Sequence, residues 1–472
     1  MPPPNRDPHT NRFLLLSIFV FASILLYLTT HRPEHSSTSS VPTVPSSGKS
    51  KAASLVDTVQ KPLVAPEGEE EIIQHRIVAI GDIHGDFPAL TKILRKAELI
   101  DLRGQWIGGQ TILVQTGDIV DRGVDTIACY KFMQSLRAGA EKVGGTVVSL
   151  LGNHEIMNAL GDWRYVNPND INSTTPNART FDRSFGGERN RREAMSTGWI
   201  GQEWRTNYSI TARVPFLTHS FPTTSSVVEF PKMLKGQSDK RFISEPTPFK
   251  RRSNGSKLDL EGAISFVHGG IIPEYLETLS TSDSPISEIN RIGHSLMELL
   301  VDHPFPVSLP SAATKEERLF WSERGPMWNR DWALLEEKQI CERVQKTCEK
   351  LGVRRLVMGH TPNFEGMLKR CGGKVLLIDT GISRAYGGAH SFLDISHTLT
   401  PYSKASEDDL SAIEEGEHSY NEVLGVDEEE ESEGKGSRWV EREVVRAVYE
   451  YRENGLPGEE TLVDFRRIIR IP

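Results

Sequence analysis

Gly81-Asp82-Ile83-His84-Gly85-Asp86 follows directly on the apolar, β-branched run Ile77–Ile80, and the same event recurs along the chain. Thr111–Thr116 runs into Gly117-Asp118-Ile119-Val120-Asp121-Arg122-Gly123, and Thr146–Leu151 into Gly152-Asn153-His154-Glu155. Further on, Ala263–Val267 ends in His268-Gly269-Gly270 and Arg355–Met358 in Gly359-His360-Thr361. Short apolar runs bounded by glycine read as strands covered on both faces. Phe87–Glu98 and Thr126–Val143 carry helical spacing between the first three, and Val375–Ile378 is a further strand, so the class is α/β. Sites in open α/β sheets are assembled at the carboxyl ends of strands. Here those ends deliver Asp, His, Asp, Asn, His and His, each beside a glycine. Carboxylate and amide oxygens with imidazole nitrogens, and no thiolate, suit Mn, Fe or Zn. A lone GD or GH would be a turn or a cap. The information is in their order, each block behind its own strand.

The rest of the chain bounds what surrounds that pattern. At 472 residues, with 37% hydrophobic and 25% charged side chains, it can bury a sizeable core. Glu407 to Glu433 holds 13 acidic residues and no Lys or Arg, which leaves about +4 of the net −9 elsewhere with the opposite sign. An overall basic nucleic-acid binder is therefore excluded. Phe13–Thr29 is uncharged and almost wholly apolar, and as a helix at ~1.5 Å per residue it approaches the thickness of a bilayer. No small-x-small cleavage site follows, so an uncleaved anchor is expected over a signal peptide or a buried helix. Arg6 and Arg12 before it slightly favour a cytoplasmic N-terminus. The expected protein is single-pass and type II, with its body in the lumen of the ER, Golgi or another secretory compartment.

The domain reading is a short cytoplasmic N-terminus (1–12), a transmembrane anchor (13–29), a flexible stalk (30–73) and the main domain (74–400). A mobile, basic insertion (about 223–257), an acidic low-complexity segment (401–437) and a C-terminal helical extension (438–472) complete it. The last rests on helical spacing in Trp439–Tyr451. Asn172-Ser-Thr, Asn207-Tyr-Ser and Asn254-Gly-Ser match the glycosylation pattern. Cys129, Cys341, Cys348 and Cys371 are expected as buried free thiols, with oxidation open to them if the body is lumenal.

These blocks resemble the phosphoprotein-phosphatase branch of the calcineurin-like metallophosphoesterases. Met157-Asn158, Gly161-Asp162-Trp163-Arg164-Tyr165-Val166, Gly359-His360-Thr361-Pro362, Leu377-Ile378-Asp379-Thr380-Gly381 and Ala385-Tyr386-Gly387-Gly388 look like the Shewanella-like subgroup. The resemblance covers about Arg76 to Ile395. It implies a central β-sandwich flanked by helices, with two divalent or trivalent metal ions (Mn, Fe or Zn) at one edge. Asp82, His84 and Asp118 would hold one metal, and Asp118, Asn153, His268 and His360 the other, with Asp118 bridging. The carboxylate's two oxygens make that bridge chemically sensible. Arg122 would clamp the substrate phosphate, His154 would protonate the leaving oxygen, and Asp121 would orient His154. A second phosphate arginine is expected from Arg324 or Arg330, with Arg330 preferred, and Tyr386 borders the site.

What the resemblance implies is a protein serine/threonine phosphatase that uses metal-bound hydroxide on a phosphorylated protein or peptide. A small-molecule or nucleotide phosphoesterase, such as a dinucleoside polyphosphate hydrolase, shares the first three blocks, and phosphotyrosine preference is open. A membrane-tethered adaptor would need a broken ligand, and none is missing. The sequence names no regulatory subunit.

Overall fold

The computed structural model describes residues 72–172, 184–216, 263–279, 284–414, 437–451 and 458–471. The anchor (13–29), nearly all of the stalk and the basic insertion (223–257) lie outside them. Among the described residues no helix is long and apolar enough to cross a membrane.

The described residues form twelve strands: β1 (Ile73–Ile80), β2 (Ile112–Gln115), β3 (Thr146–Leu150), β4 (Tyr208–Ser209), β5 (Thr211–Pro215), β6 (Ala263–Val267), β7 (Arg355–Met358), β8 (Leu368–Arg370), β9 (Val375–Leu377), β10 (His390–Pro401), β11 (Ser437–Tyr451) and β12 (Glu459–Ile471). They form a seven-stranded sheet in the order β12-β11-β10-β1-β2-β3-β4 and a five-stranded sheet in the order β5-β6-β7-β9-β8. β1 to β4 run parallel, as do β6, β7 and β9.

Strand periodicity explains the layers. Ile77 and Ala79 of β1 join Val114, Val148, Val214, Phe266, Val357 and Leu376 in one cluster between the sheets. Val78 and Ile80 point the other way, into a second cluster with helices Phe87–Lys96 and Thr126–Glu141. Helices Pro285–Asp302 and Glu337–Leu351 cover β6, β7 and β9 in the same manner. Both faces of each parallel strand are thus apolar, as their unbroken hydrophobic runs require. Asp86, the last residue of the first block, caps helix Phe87–Lys96 by accepting from the Ala89 amide at 3.1 Å.

Two expectations are corrected. Residues 438–472 are not a helical extension. Their described part is the β11–β12 hairpin, which extends the larger sheet by pairing with β10. The inward row of β11 is Glu441, Glu443, Val445, Ala447 and Tyr449, so two glutamates interrupt the apolar alternation that would have revealed a strand. Both glutamates are buried against cations from elsewhere in the fold. Arg354 donates to Glu441 and Glu443 at 2.8 and 2.6 Å, and Arg355 donates to Glu443 at 2.7 and 3.0 Å. Second, Cys341 and Cys371 are not free thiols but a disulfide joining helix Glu337–Leu351 to the turn after β8; Cys129 and Cys348 are buried and free. The acidic segment opens as a helix, Glu407–Glu414, and residues 415–436 lie outside the described chain.

Burial opposes ionisation of Glu443, but the guanidiniums of Arg355 and Arg354 outweigh it and pull the carboxyl from 4.5 to about 2. Breaking a buried ion pair from one side costs about 3–5 kcal/mol. Glu443→Gln should therefore lower the unfolding free energy by about that amount in urea melts at pH 7. Because the folded value is depressed, the stabilisation is complete above the unfolded value and lost as pH falls through about 2. The gap between wild type and variant should narrow between those limits; a gap constant with pH would refute the assignment.

Candidate active site

Every ligand-type residue anticipated from the sequence stands at the carboxyl end of a strand. His84 follows β1, Asp118 follows β2, and Asn153 opens helix Asn153–Leu160 after β3. His268 follows β6 and His360 follows β7. The parallel strands of both sheets therefore deliver their ends to one place. Five of the nine non-glycine residues with positive φ in the described chain are His84, Asp118, Asp121, Arg122 and His360. Left-handed backbone at a non-glycine residue costs of order 1–3 kcal/mol and persists only where the surroundings impose it. Two glycines allow the close approach. A Cβ at Gly152 would collide with the Asp118 carboxylate, and one at Gly359 with that of Asp82.

Asp118, 2% exposed, is the centre. Its Oδ1 accepts from the His154 amide at 3.0 Å, at the positive end of a helix. Its Oδ2 faces Nε2 of His268 at 3.3 Å, of His84 at 3.7 Å and of His154 at 3.8 Å. Asp118 belongs to two groups of ligand atoms lying within 4.8 Å of one another, one with His84 and His154 and one with His268 and His360. Asp82 adds a second carboxylate, about 4 Å from both His84 Nε2 (4.0 Å) and His268 Nδ1 (3.9 Å), and accepts from the His360 amide at 3.2 Å.

The imidazoles are held for ligation. His84 Nδ1 lies 2.9 Å from the Val120 carbonyl and His268 Nδ1 3.0 Å from that of Thr116. A carbonyl only accepts, so Nδ1 carries the proton in each ring and Nε2 presents a lone pair. For His268 that lone pair faces the Asn153 oxygen at 2.8 Å, two acceptors in contact that a cation between them would satisfy. His360 Nε2 is buried without a hydrogen-bond partner. Burial, reinforced by His154, lowers the His84 imidazole to about 3, and burial with His268 and Arg330 lowers His360 well below its usual range. Burial, Asp379 and Asp118 raise the Asp82 carboxyl. For Asp118, burial is outweighed by the surrounding imidazoles and the carboxyl is lowered. Neutral imidazoles and crowded carboxylates with an orphaned acceptor fit metal ions, so Asp82, His84, Asp118, Asn153, His268 and His360 can hold them.

Around this centre, His154 Nδ1 meets Asp121 Oδ2 at 2.6 Å, which turns Nε2 inward. Burial would lower this imidazole, but Asp118 and the Asp121 hydrogen bond raise it. The Arg122 guanidinium is flanked by the rings of Tyr165 and Tyr386, 4.5 and 4.6 Å from their centroids. Arg330 is close by, donating to the His360 carbonyl and Thr361 Oγ1 at 2.8 and 2.9 Å. Arg324 is exposed, and its charge acts on Glu274 rather than on the site.

Four residues escaped the sequence reading as functional parts. Glu155 accepts from the amides of Gly152, Asp118, Ile119 and Val120 and from the Tyr130 hydroxyl. Asp379, raised to about 6 chiefly by burial, sits beside Asp82. Asn158 and Arg191 hold Asp121 from behind. Glu155 and Asp379 lay inside recognised blocks; Arg191 gave no signal.

Residues 75–364 match the model of the calcineurin-like phosphoesterase family, and the chain belongs to that family. It is a metal-dependent phosphatase by that membership and by phosphatases among its relatives. An uncharacterised protein of Schizosaccharomyces pombe is 34% identical over 69% of this chain and 78% of its own. Shewanella-like protein phosphatase 2 of Arabidopsis thaliana is 26% identical over 68% of this chain and 76% of its own. The crystal structure of a cold-active protein-tyrosine phosphatase of a psychrophilic Shewanella gives a TM-score of 0.45 at 20% identity, over 69% of this chain and 77% of that one.

Glu155 yields a direct test. Both of its oxygens accept, so a glutamine must turn an NH2 toward backbone N–H donors in either orientation. At about 1–3 kcal/mol for each unsatisfied buried donor, Glu155→Gln should cost about 2–4 kcal/mol in denaturant melts. A cost below about 1 kcal/mol would show that the loops hold without it.

Proposed function

We propose that this protein is a dinuclear-metal phosphomonoesterase acting on phosphorylated proteins at serine and threonine. The observation that carries the reading is the Asp118 carboxylate common to two buried ligand groups. In this reading Asp82, His84 and Asp118 hold one metal ion, and Asp118, Asn153, His268 and His360 the other. Oxygen and nitrogen donors without thiolate favour Mn, Fe or Zn. Such a pair supplies, when bound, the charge that draws in phosphate and acidifies a water.

The chain's own residues account for the rest. Arg122, packed against the rings of Tyr165 and Tyr386, takes two phosphate oxygens, a task for a planar guanidinium rather than an ammonium. Arg330 adds positive charge beside His360. As water adds to phosphorus and the ester P–O bond breaks, His154 gives its Nε2 proton to the departing oxygen. Asp121 on Nδ1 keeps the ring turned for that transfer. Relatives named protein phosphatases support a protein substrate over a nucleotide.

Asp118→Asn should lose bound metal and lower kcat/KM on phosphoserine and phosphothreonine peptides well beyond the roughly 10–100-fold typical of outer-shell changes. Chelation should abolish activity and manganese should restore it. The same panel should contain phosphotyrosine peptides and dinucleoside polyphosphates; faster turnover of either would replace the proposed substrate class. Full activity of the asparagine variant would end the mechanism.

We also propose a type II topology with the body in a secretory compartment, anchored by Phe13–Thr29. The Cys341–Cys371 disulfide supports it, because such bonds persist in oxidising compartments. Asn172 and Asn207 are exposed, as glycan acceptors must be. In intact microsomes the body should resist added protease and lose mass on deglycosylation. Digestion without detergent would overturn the topology.

A further inference from the structure

The least regular part of the sequence supplies a fully buried cation behind His154. Arg191 stands on helix Glu188–Met195 and is 0% exposed. Its guanidinium lies between the rings of Phe185 and Trp163, at 4.8 and 5.5 Å from their centroids. Nη1 pairs with the buried carboxylate of Asp170 on helix Pro168–Ile171, which also accepts from the Thr126 amide at 3.3 Å. Nη2 reaches Asn158 Oδ1 at 2.8 Å and Asp121 Oδ1 at 3.4 Å.

Donor and acceptor chemistry turns these contacts into a sequence of constraints. A guanidinium only donates, so it fixes which end of the Asn158 amide faces it: the oxygen. The amide nitrogen must then face the other way, where it donates to Asp121 Oδ1 at 2.8 Å and to the His154 carbonyl at 2.9 Å. With Oδ1 occupied by Asn158 and Arg191, Asp121 has Oδ2 left for His154 Nδ1. Asp121 also has φ of 74°, a conformation that must be imposed on it from outside. A purely structural buried pair would be complete with Asp170 alone. The second arm of the guanidinium instead acts on the two residues that orient the imidazole.

We propose that Arg191 is a positioning residue for leaving-group protonation: through Asn158 and Asp121 it sets the orientation of His154. This rests on the phosphatase reading above and adds a residue to it. Without Arg191 the Asn158 oxygen loses its donor and Asp121 Oδ1 loses one of its two, so the carboxylate is held less firmly against Nδ1. Nucleophile supply and phosphate binding use other groups, so only departure of a poor leaving group suffers.

The test compares Arg191→Met, Arg191→Lys and wild type on a phosphoserine peptide and on 2,4-dinitrophenyl phosphate, whose leaving group needs no proton. General-acid assistance is worth about 10²–10⁴-fold. Arg191→Met should lose about 10–100-fold in kcat on the peptide and under about 3-fold on the activated ester, with metal content unchanged. Arg191→Lys, still a donor, should fall between. His154→Asn should show the same selective pattern. Independently of turnover, the downfield Nδ1 proton of His154, read in the metal-free protein labelled with 15N-histidine, should move in Arg191→Met. Equal losses on both substrates, no loss, or an unmoved Nδ1 proton would each overturn the proposal. If Arg191→Met does not fold, Asp170→Asn, which loosens the guanidinium from its far side, decides by the same substrate ratio. Wild type that turns over neither substrate would overturn the phosphatase reading itself, whereas selective retention of the activated ester confirms both.

Discussion

The site depends on one carboxylate that is not itself a candidate ligand: Glu155. It lies one turn inside helix Asn153–Leu160 and accepts five hydrogen bonds, four from backbone amides. Gly152 belongs to its own loop, whereas Asp118, Ile119 and Val120 belong to the neighbouring one. A single side chain therefore fixes the loop that presents Asp118 against the loop that presents Asn153 and His154. Any buried amide it released would carry a desolvation penalty, so the two loops are coupled rather than merely adjacent. The Val120 carbonyl in turn holds His84. The order of dependence runs from Glu155 to Asp118 and Val120, and from them to the imidazoles.

The C-terminal hairpin obeys a similar rule at a distance from the site. Arg354 and Arg355 precede β7 or begin it, and His360 follows its end at Met358. Their carboxylate partners, Glu441 and Glu443, are on β11 of the other sheet. An ion network inside a sandwich gains little over apolar packing, but it admits few registers. His397 on β10 joins it through Glu441 at 2.8 Å. The hairpin is thus pinned to the strand that delivers His360, and lies within the same fold as the catalytic centre.

What could be read from the sequence divides along the same physical line. Strands β1, β2, β3, β6, β7 and β9 are apolar on both faces, so their runs stand out, and all but β9, which leads to Asp379, run into a candidate ligand. β10 and β11 were missed because their buried rows contain polar residues whose partners are remote in the chain, such as Glu443 and Arg355, 88 residues apart. The disulfide escaped for a related reason. Cys341 and Cys348 share a helix, but the bond joins Cys341 to Cys371 in another element. Local patterns reveal what a segment does by itself. They are silent where a buried charge or a sulfur is satisfied by a distant segment, and Arg191 is the extreme case.

That silence falls on the segment from Trp163 onward, yet this is the wall of the site. The Tyr165 carbonyl accepts from the Arg122 amide at 2.9 Å, and Asn167 donates to the Arg122 carbonyl at 3.0 Å. Arg122 has φ of 60°, so these two bonds hold a turn the backbone would otherwise leave. The same Asn167 caps the short helix bearing Asp170, the partner of Arg191. One loop therefore fixes the Arg122 backbone and, through Asp170 and Arg191, Asp121 behind His154. The tyrosine rings complete the logic on the front side. Tyr165 and Tyr386 both pack against the Arg122 guanidinium, whose edge carries paired N–H donors that match paired oxygens. If Arg122 takes the phosphate, as proposed, that contact is common to all phosphoesters, and discrimination among them falls to other walls of the site.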